Sequence, residues 1–289
     1  MPQSLTDLLP AVEQIARQAG QAILALYQSG DYQAQQKADH TPVTSADLAA
    51  HQLLCDAFGK LTPEWPVLSE EHDSLALAER AKWDYYWLVD PMDGTQEFVS
   101  RSGDFSTMIA LICHGEPVLG LVYAPVTNTC YYAMKGLGAY KIQGQQGPQQ
   151  IHCRHYPQIP ETLRIAVSRV QNKRKLDKVL NEQYRYEFLP LGSASLKSCL
   201  VAEGAADCYI RLGPTGEWDV GAPLIILKEA GGTLLDLHLQ PMSFNCHESL
   251  INPDFIGIGD DSLPWADIIA HIPNNDRLRT DQLTSNSSN

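Results

Sequence analysis

The chain has 289 residues, 44% of them hydrophobic and 19% charged, which suits a globular protein with one large domain or two smaller ones sharing a cleft. Its formal net charge of −13 opposes broad electrostatic binding to nucleic acid, so an anionic ligand must be drawn by local cations, helix N-termini or a few placed Lys and Arg. No apolar run approaches the roughly 20 residues of a membrane helix, Met1 to Pro10 lack the basic and apolar blocks of a signal peptide, and the 7 cysteines include no C-x-x-C pair, the usage of a cytoplasmic protein with reduced thiols.

From about Leu9 to Tyr27, Val12, Ile15, Ala16, Ala19, Ile23 and Leu26 recur at helical spacing. Pro10 suits the first turn of that helix and Gly30 follows its end. A short strand, Tyr32 to Lys37, leads into the loop Asp39-His40-Thr41-Pro42. Thr44 then reads as an N-cap with Asp47 at the capping-box distance, opening a helix to about Phe58. An acid in a first helical turn is stabilising by itself, so Asp47 has a structural reading as well as a chemical one. Pro66 to Ser69 reads as a buried strand that ends in Glu70 and Glu71, and a helix is expected from about Ser74 to Ala81.

The stretch Trp87-Leu88-Val89-Asp90-Pro91-Met92-Asp93-Gly94-Thr95 follows: an apolar strand that ends abruptly in a carboxylate. Pro91 has no N–H for a ladder, a second carboxylate comes three residues after the first, and Phe98 and Val99 begin a new element. Two acids at a strand end, beside the free N–H groups of a helix start or turn, suit cations and phosphate together, although Asp and Gly are also ordinary turn residues. Antiparallel strands are predicted over Phe105–Cys113, Pro117–Ala124 and Cys130–Met134, and Gly144 to Gln150 as an exposed turn or boundary. The tract His152-Cys153-Arg154-His155 reads as an exposed connector, since no second ligand pair stands at zinc spacing.

Beyond Leu163 the pattern alternates. Strands are expected over Arg164–Ser168, Tyr186–Leu191, Asp207–Leu212, Thr233–Asp236 and Phe255–Ile258, with helices over Lys173–Asn181, Ala194–Glu203, Trp218–Ala230 and Trp265–Ile272. Gly231-Gly232 stops the third of these helices, and the Ser/Asn-rich tail from Asn274 reads as disordered. The order implies a layered α+β protein: an N-terminal domain over 1–150 with a larger antiparallel sheet, and a C-terminal α/β domain over 151–273 with a smaller mixed sheet. The cleft between them is the natural place for a site.

Three strand-to-loop junctions end in carboxylates: Glu70-Glu71, Asp90/Asp93 and Asp219. Such a set without matching His or Cys favours Mg²⁺ or Mn²⁺ over Zn²⁺, and paired metal sites suit phosphoryl chemistry. Alternatively, Asp219 is a helix N-cap and Glu71 a solvated acid.

Ser69-Glu70-Glu71, Asp90-Pro91-Met92-Asp93-Gly94-Thr95 and Trp218-Asp219-Val220-Gly221-Ala222 resemble the signatures of the inositol-monophosphatase-like, lithium-sensitive, Mg²⁺-dependent phosphatases. Lys37-x-Asp39-x-Thr41-Pro42-Val43-Thr44-x-Ala46-Asp47 and Leu212-Gly213-Pro214-Thr215-Gly216-Glu217-Trp218-Asp219 look most like the CysQ branch, the 3'(2'),5'-bisphosphate nucleotidases of sulfur assimilation. The resemblance runs from about Val12 to Gly259 and implies the αβαβα layering of the sugar phosphatases. It implies two or three Mg²⁺ ions: one on Glu70, Asp90 and the Met92 carbonyl, one on Asp90, Asp93 and Asp219, and a weaker one near Glu70. Asp47 and Thr95 would orient and deprotonate the attacking water, Gly94 and Thr95 amides would grip the phosphate, and Ser195, Lys197 and Arg211 would hold the nucleotide. The implied substrate is adenosine 3',5'-bisphosphate, with its 3'-phosphosulfate precursor as a second candidate. The implied setting is cytoplasmic, compatible with peripheral attachment to the inner membrane and with a homodimer.

Two departures bear on substrate preference. Ala194 stands where the branch has Ser, and Gly221-Ala222-Pro223 replaces Ala-Ala-Gly, with Pro223 expected in a first helical turn. The rival readings are an inositol or sugar monophosphatase and a regulatory protein that uses the same fold to contact RNA polymerase or similar machinery.

Overall fold

The computed structural model describes residues 5–37, 42–72, 75–169 and 173–269. The expectations for Asp39, Thr41 and the tail from Asn274 lie outside the described residues. Helix α1 (Leu5–Ser29) turns Leu8, Val12, Ile15, Ala19 and Ile23 inward. It begins earlier than Pro10 suggests, so Pro10 lies inside the second turn. Strands β1 (Ala34–Gln36) and β2 (Pro42–Thr44) pair antiparallel and deliver the chain to α2 (Ser45–Leu61). Thr44 and Asp47 form the expected capping box there.

Seven strands then make the larger sheet: β3 (Val67–Ser69), β4 (Tyr85–Asp93), β5 (Ser106–Cys113), β6 (Glu116–Ala124), β7 (Thr129–Met134), β8 (Gly138–Gln143) and β9 (Gln149–Ile151). Only β3 and β4 run parallel; every other neighbouring pair is antiparallel. Short helices α3 (Leu77–Arg80) and α4 (Thr95–Val99) flank β4. The last two strands were not foreseen, and the exposed turn predicted over Gly144–Gln150 ends in β9.

The smaller sheet holds β10 (Leu163–Ser168), β11 (Tyr186–Leu191), β12 (Cys208–Arg211), β13 (Thr233–Asp236) and β14 (Phe255–Ile258), in the order β11-β10-β12-β14-β13. It is mixed: β10 lies parallel to β11 and β12, whereas β14 is antiparallel to β12 and β13. Its helices are α5 (Lys173–Val179), α6 (Ala194–Ala202), α7 (Trp218–Glu229) and α8 (Trp265–Ile268).

Five layers result. Helices α1 and α2 cover one face of the larger sheet through Trp87, Val89, Ile109 and Leu121. Helices α6 and α7 fill the space between the sheets with Leu88, Ala110, Val122, Val220, Ile225, Ala166 and Tyr209. On the outer face of the smaller sheet, Leu176 and Val179 of α5 and Trp265 and Ile268 of α8 close the third core. Apolar residues are thus needed on both faces of β4, which is why it reads as a continuous run rather than an alternation. Trp87 stacks on Phe58 at 4.2 Å and donates its indole N–H to Thr62 Oγ1 at 2.8 Å. Helix α7 sits so close to the sheet that a Cβ on Gly120 would stand 2.8 Å from the Ala222 carbonyl oxygen.

Pro223 lies inside α7, in its second turn rather than the first. The helical bond it forgoes is the one to the Asp219 carbonyl. The tract His152–His155 is a connector, but not an exposed one throughout: Cys153 is buried and its N–H donates to the Ala230 carbonyl at 2.8 Å. No helix among the described residues is long and apolar enough to cross a membrane.

Candidate active site

Strand β4 carries the site to the edge of the gap between the two sheets. Its register with β5 pairs Asp90 with Met108 and Asp93 with Ser106, so one extra residue is accommodated between the two acids. In a regular strand, residues three apart face opposite sides; the bulge at Pro91–Met92 re-aims the second acid. The core assignments show the switch. Leu88 faces α7, whereas Met92, an even number of residues later, packs with Trp87 and Val89 against α1 and α2. Asp90 and Asp93 therefore share the side from which α7 offers Asp219, and one carboxylate oxygen from each of the three lies within 4.8 Å of the others. Gly94 follows at φ 97°, a left-handed conformation, where a Cβ would also meet the Asp104 carbonyl oxygen at 2.9 Å.

These acids sit badly with one another when ionised. Burial, then the charges of Glu70, Asp93 and Asp219, hold Asp90 well above the usual carboxylate range. Burial, then Asp93 and Glu70, push Asp219 up to about 8. A cluster so short of positive charge, made only of hard oxygen donors, fits a bound Mg²⁺-type cation. Asp219 is not the N-cap of α7, a place taken by Glu217; its Oδ2 accepts the Gly216 N–H at 2.7 Å.

Glu70 and the neighbouring residues of β4 line the same cavity of about 320 Å³, together with Gly94, Thr95, Lys197, Arg211 and Asp219. The Glu70 carboxylate is engaged by Lys37, whose Nζ is 2.7 Å from Glu70 Oε1 and 2.6 Å from Glu71 Oε1. Burial nevertheless pushes Glu71 up to about 7, outweighing the attraction of Lys37.

Thr95 lines the same cavity and is joined to the buried Asp47. Asp47 is 2% exposed and its Oδ2 accepts both the main-chain N–H and the hydroxyl of Thr44, at 2.6 and 2.7 Å. That capping box leaves Oδ1 free to accept the Thr95 hydroxyl at 2.9 Å. Burial raises the Asp47 pKa against the lowering effect of these three bonds. The Thr95 hydroxyl also lies 3.3 Å from the Met92 carbonyl oxygen.

Asp93 is joined to α6. Ser193 Oγ, Ser195 N and Ser195 Oγ donate to its Oδ2 at 2.5, 2.8 and 2.8 Å, and Ala194 N donates to Oδ1 at 3.1 Å. Ser195 differs in position from its expected place at the substrate: it is fully buried, with its hydroxyl spent on Asp93 and 2.7 Å from that of Ser106. Lys197, two residues on, lines the cavity while its ammonium donates to the carbonyls of Leu191, Gly192 and Ser193. Burial lowers its pKa from 10.5 to about 8. Arg211 donates to the Pro214 carbonyl at 3.4 Å, and its buried Nε has no hydrogen-bond partner among the described residues.

A profile of the inositol monophosphatase family matches residues 4–261. The chain belongs to this family. Among its relatives, the 3'(2'),5'-bisphosphate nucleotidase CysQ of Aggregatibacter actinomycetemcomitans is 46% identical over 92% of this chain and 97% of its own. The enzyme of the same name from Escherichia coli K12 is 41% identical over 86% of this chain and 98% of its own. The crystal structure of CysQ from Bacteroides thetaiotaomicron, described as a bacterial member of the inositol monophosphatase family, superposes with a TM-score of 0.74 at 33% identity, covering 88% of this chain and 98% of that one. The layered αβαβα architecture is that of the family.

Within that family frame, three functional contacts were not visible in the sequence. Ser193 and Ser106 support Asp93 only through the folding of α6 onto β5. Lys37 was part of a motif without a stated partner, and it pairs with Glu70 and Glu71. The Arg211 Nε, without a partner among the described residues, shows only in the folded chain, although a cation in the middle of an apolar strand was the signal for it.

Proposed function

We propose that the chain is a cytoplasmic, Mg²⁺-dependent 3'(2'),5'-bisphosphate nucleotidase that hydrolyses adenosine 3',5'-bisphosphate to AMP and phosphate. The observation that carries the reading is the placement of the three converging carboxylates Asp90, Asp93 and Asp219 on the cavity that Thr95 also lines, with Asp47 bonded to Thr95 behind it. Glu70, Asp90 and the Met92 carbonyl are assigned one cation, and Asp90, Asp93 and Asp219 another. A third is assigned near Glu70, and Mn²⁺ is taken as a substitute. Bound Mg²⁺ neutralises phosphoryl charge and acidifies water.

The chain's own residues do the rest. Thr95 Oγ1 accepts a hydrogen bond from the incoming water and hands its own proton toward Asp47 Oδ1, 2.9 Å away. Burial makes Asp47 a better base than an exposed carboxylate, and the Thr44 bonds fix its orientation. The main-chain N–H groups of Gly94 and Thr95 hold the departing phosphate in line, since phosphoryl transfer is mainly a matter of positioning and charge. The second phosphate falls to Lys197 and Arg211, the two cations on the cavity wall among the described residues apart from the Lys37 pair. Ser195 acts by holding Asp93 rather than by touching the nucleotide. The two sheets form the walls of the site: the division near residue 150 leaves Glu70, Asp90, Met92 and Asp93 on one side, and Lys197, Arg211 and the cation-holding Asp219 on the other.

A phosphate-release panel with Mg²⁺ tests this reading. It compares adenosine 3',5'-bisphosphate, its 3'-phosphosulfate precursor, inositol 1-phosphate and fructose 1,6-bisphosphate. The highest kcat/KM belongs to adenosine 3',5'-bisphosphate. A preference for inositol 1-phosphate, or no Mg²⁺-dependent release from any of the four, overturns it.

A further inference from the structure

A second group of metal-ligand side chains stands beside the cleft, separate from the carboxylates. His51 and Cys55 lie four residues apart on one face of α2, and His72 follows the Glu70-Glu71 pair. One donor atom from each lies within 4.8 Å of the others. Cys55 Sγ is 3.8 Å from His51 Nε2 and 4.0 Å from His72 Nε2, and the two imidazole rings meet edge-on at 4.8 Å. In a tetrahedral zinc site, with Zn–S about 2.3 Å and Zn–N about 2.0 Å, neighbouring ligand atoms stand about 3.5 Å apart. The two sulfur–nitrogen distances exceed that by only about 0.3 and 0.5 Å, and all three donor atoms lie within 4.8 Å of one another.

Two further features distinguish the group from a chance contact. His51 Nδ1 is 2.9 Å from Ser69 Oγ, which anchors the ring through that nitrogen, and Cys55 Sγ stands 3.8 Å from Nδ1 and from Nε2 alike. A metal-bound histidine commonly has its other nitrogen anchored in this way. The group is also not a thiolate–imidazolium pair: burial raises the Cys55 pKa, and burial together with His72 lowers that of His51. Nothing in the phosphatase chemistry uses these three residues, and all are at least partly open to solvent.

We infer that His51, Cys55 and His72 form a site for a thiophilic divalent cation of the Zn²⁺ class, with the fourth coordination position open to water or an external ligand. Metal entry forms one metal–sulfur and two metal–nitrogen bonds, and the Cys55 proton leaves to solvent. The S/N donor set rejects Mg²⁺, so the protein sorts two kinds of cation by the softness of their ligands. An occupied site ties His72 to α2 and so restrains the segment that carries Glu70.

The test uses Co²⁺ as a spectroscopic probe on the full chain, with Mg²⁺ at saturation to fill the carboxylate cluster and a non-thiol reductant present. One equivalent of Co²⁺ gives a thiolate-to-cobalt charge-transfer band with tetrahedral d–d bands, and Zn²⁺ abolishes both. Cys55→Ser removes the charge-transfer band, His72→Gln weakens binding at least tenfold, and Cys246→Ser, at an exposed cysteine, changes neither. No band in the wild type at excess Co²⁺, or a band that survives Cys55→Ser, overturns the inference. The readout needs no phosphate substrate, so its failure is independent of the enzymatic reading.

Discussion

Replacing Asp93 with Asn separates the two tasks of that carboxylate, holding a cation and seating α6. An amide of the same shape presents one oxygen. Turned toward Ser193 Oγ, Ser195 N and Ser195 Oγ, it keeps three bonds in neutral form and sets its NH₂ against the Ala194 N–H. A bond to a charged group contributes about 1.5–3 kcal/mol and a neutral one about 0.5–1.5, while a stranded buried donor costs about 1–3. The weakened bonds and the stranded N–H together cost about 4–6 kcal/mol. Relief of repulsion with Asp90 and Asp219, both held above the carboxylate range, returns on the order of 1–2 kcal/mol. The net loss is about 3 kcal/mol, which for a chain of this size lowers Tm by roughly 6–12 °C. Thermal unfolding in chelator reads this seating role without any metal contribution. With Mg²⁺ restored, turnover falls at least ~1,000-fold, about 4 kcal/mol of transition-state stabilisation. An unchanged or higher Tm in chelator refutes the seating argument, and turnover within tenfold of wild type refutes the catalytic one.

Thr95→Ala and Asp47→Asn each lower kcat by about 100- to 10,000-fold with little change in KM. Because the two act through one 2.9 Å hydrogen bond, the double variant is no worse than the poorer single one; multiplicative losses in steady-state kinetics would show that they act separately. Lys197→Met raises KM for adenosine 3',5'-bisphosphate at least tenfold and leaves inositol 1-phosphate hydrolysis nearly unchanged; equal losses on both would remove Lys197 from the second phosphate. In the folded protein Lys197 is charged only below about pH 8, whereas unfolded it stays charged to 10.5, so its contribution to stability rises with pH across that window. Its pull on the second phosphate fades over the same range: KM climbs above about pH 8 in the wild type and is flat in Lys197→Met. Chelation abolishes turnover, and Mg²⁺ or Mn²⁺ restores it; full activity after exhaustive chelation would rule out the cation assignment.

Much of the fold was legible because its elements obey local rules. Strands β11, β13 and β14 fall on the residues expected, and α6 and α7 differ from expectation only at the last residue. The errors arise where tertiary context overrides a local signal. Packing of α1 extends that helix before Pro10, whereas α7 starts at the expected Trp218 and Pro223 is simply its sixth residue, beyond the first turn that proline prefers. Strands β8 and β9 escaped notice because Gly144, Gln145, Gln146 and Gly147 dominate that region, and pairing of β8 with β7 and of β9 with β8 supplies what propensity does not. At the site, the acids were readable as residues that end strands, but the placement of Ser195 was not, since only the approach of α6 to Asp93 decides which way its hydroxyl faces. His51 and Cys55 were visible as a helical i,i+4 pair; His72 reaches them only through the pairing of β3 with β4.

The bulge between Asp90 and Asp93 makes chain length at this junction a functional variable in its own right. In a two-residue repeat, losing Pro91 or Met92 leaves the acids two apart, already on one face of a regular strand, so Asp93 keeps its side and its place opposite Ser106; what is lost is the extra peptide, and with it the packing of Met92 against Trp87 and Val89 or the turn that brings the Met92 carbonyl to the Thr95 hydroxyl. Single-residue deletions here should therefore keep the two acids together yet disturb the Thr95 end of the site more than most substitutions at the same positions do. The gap of two residues between the acids is thus as much a part of the signature as the acids themselves.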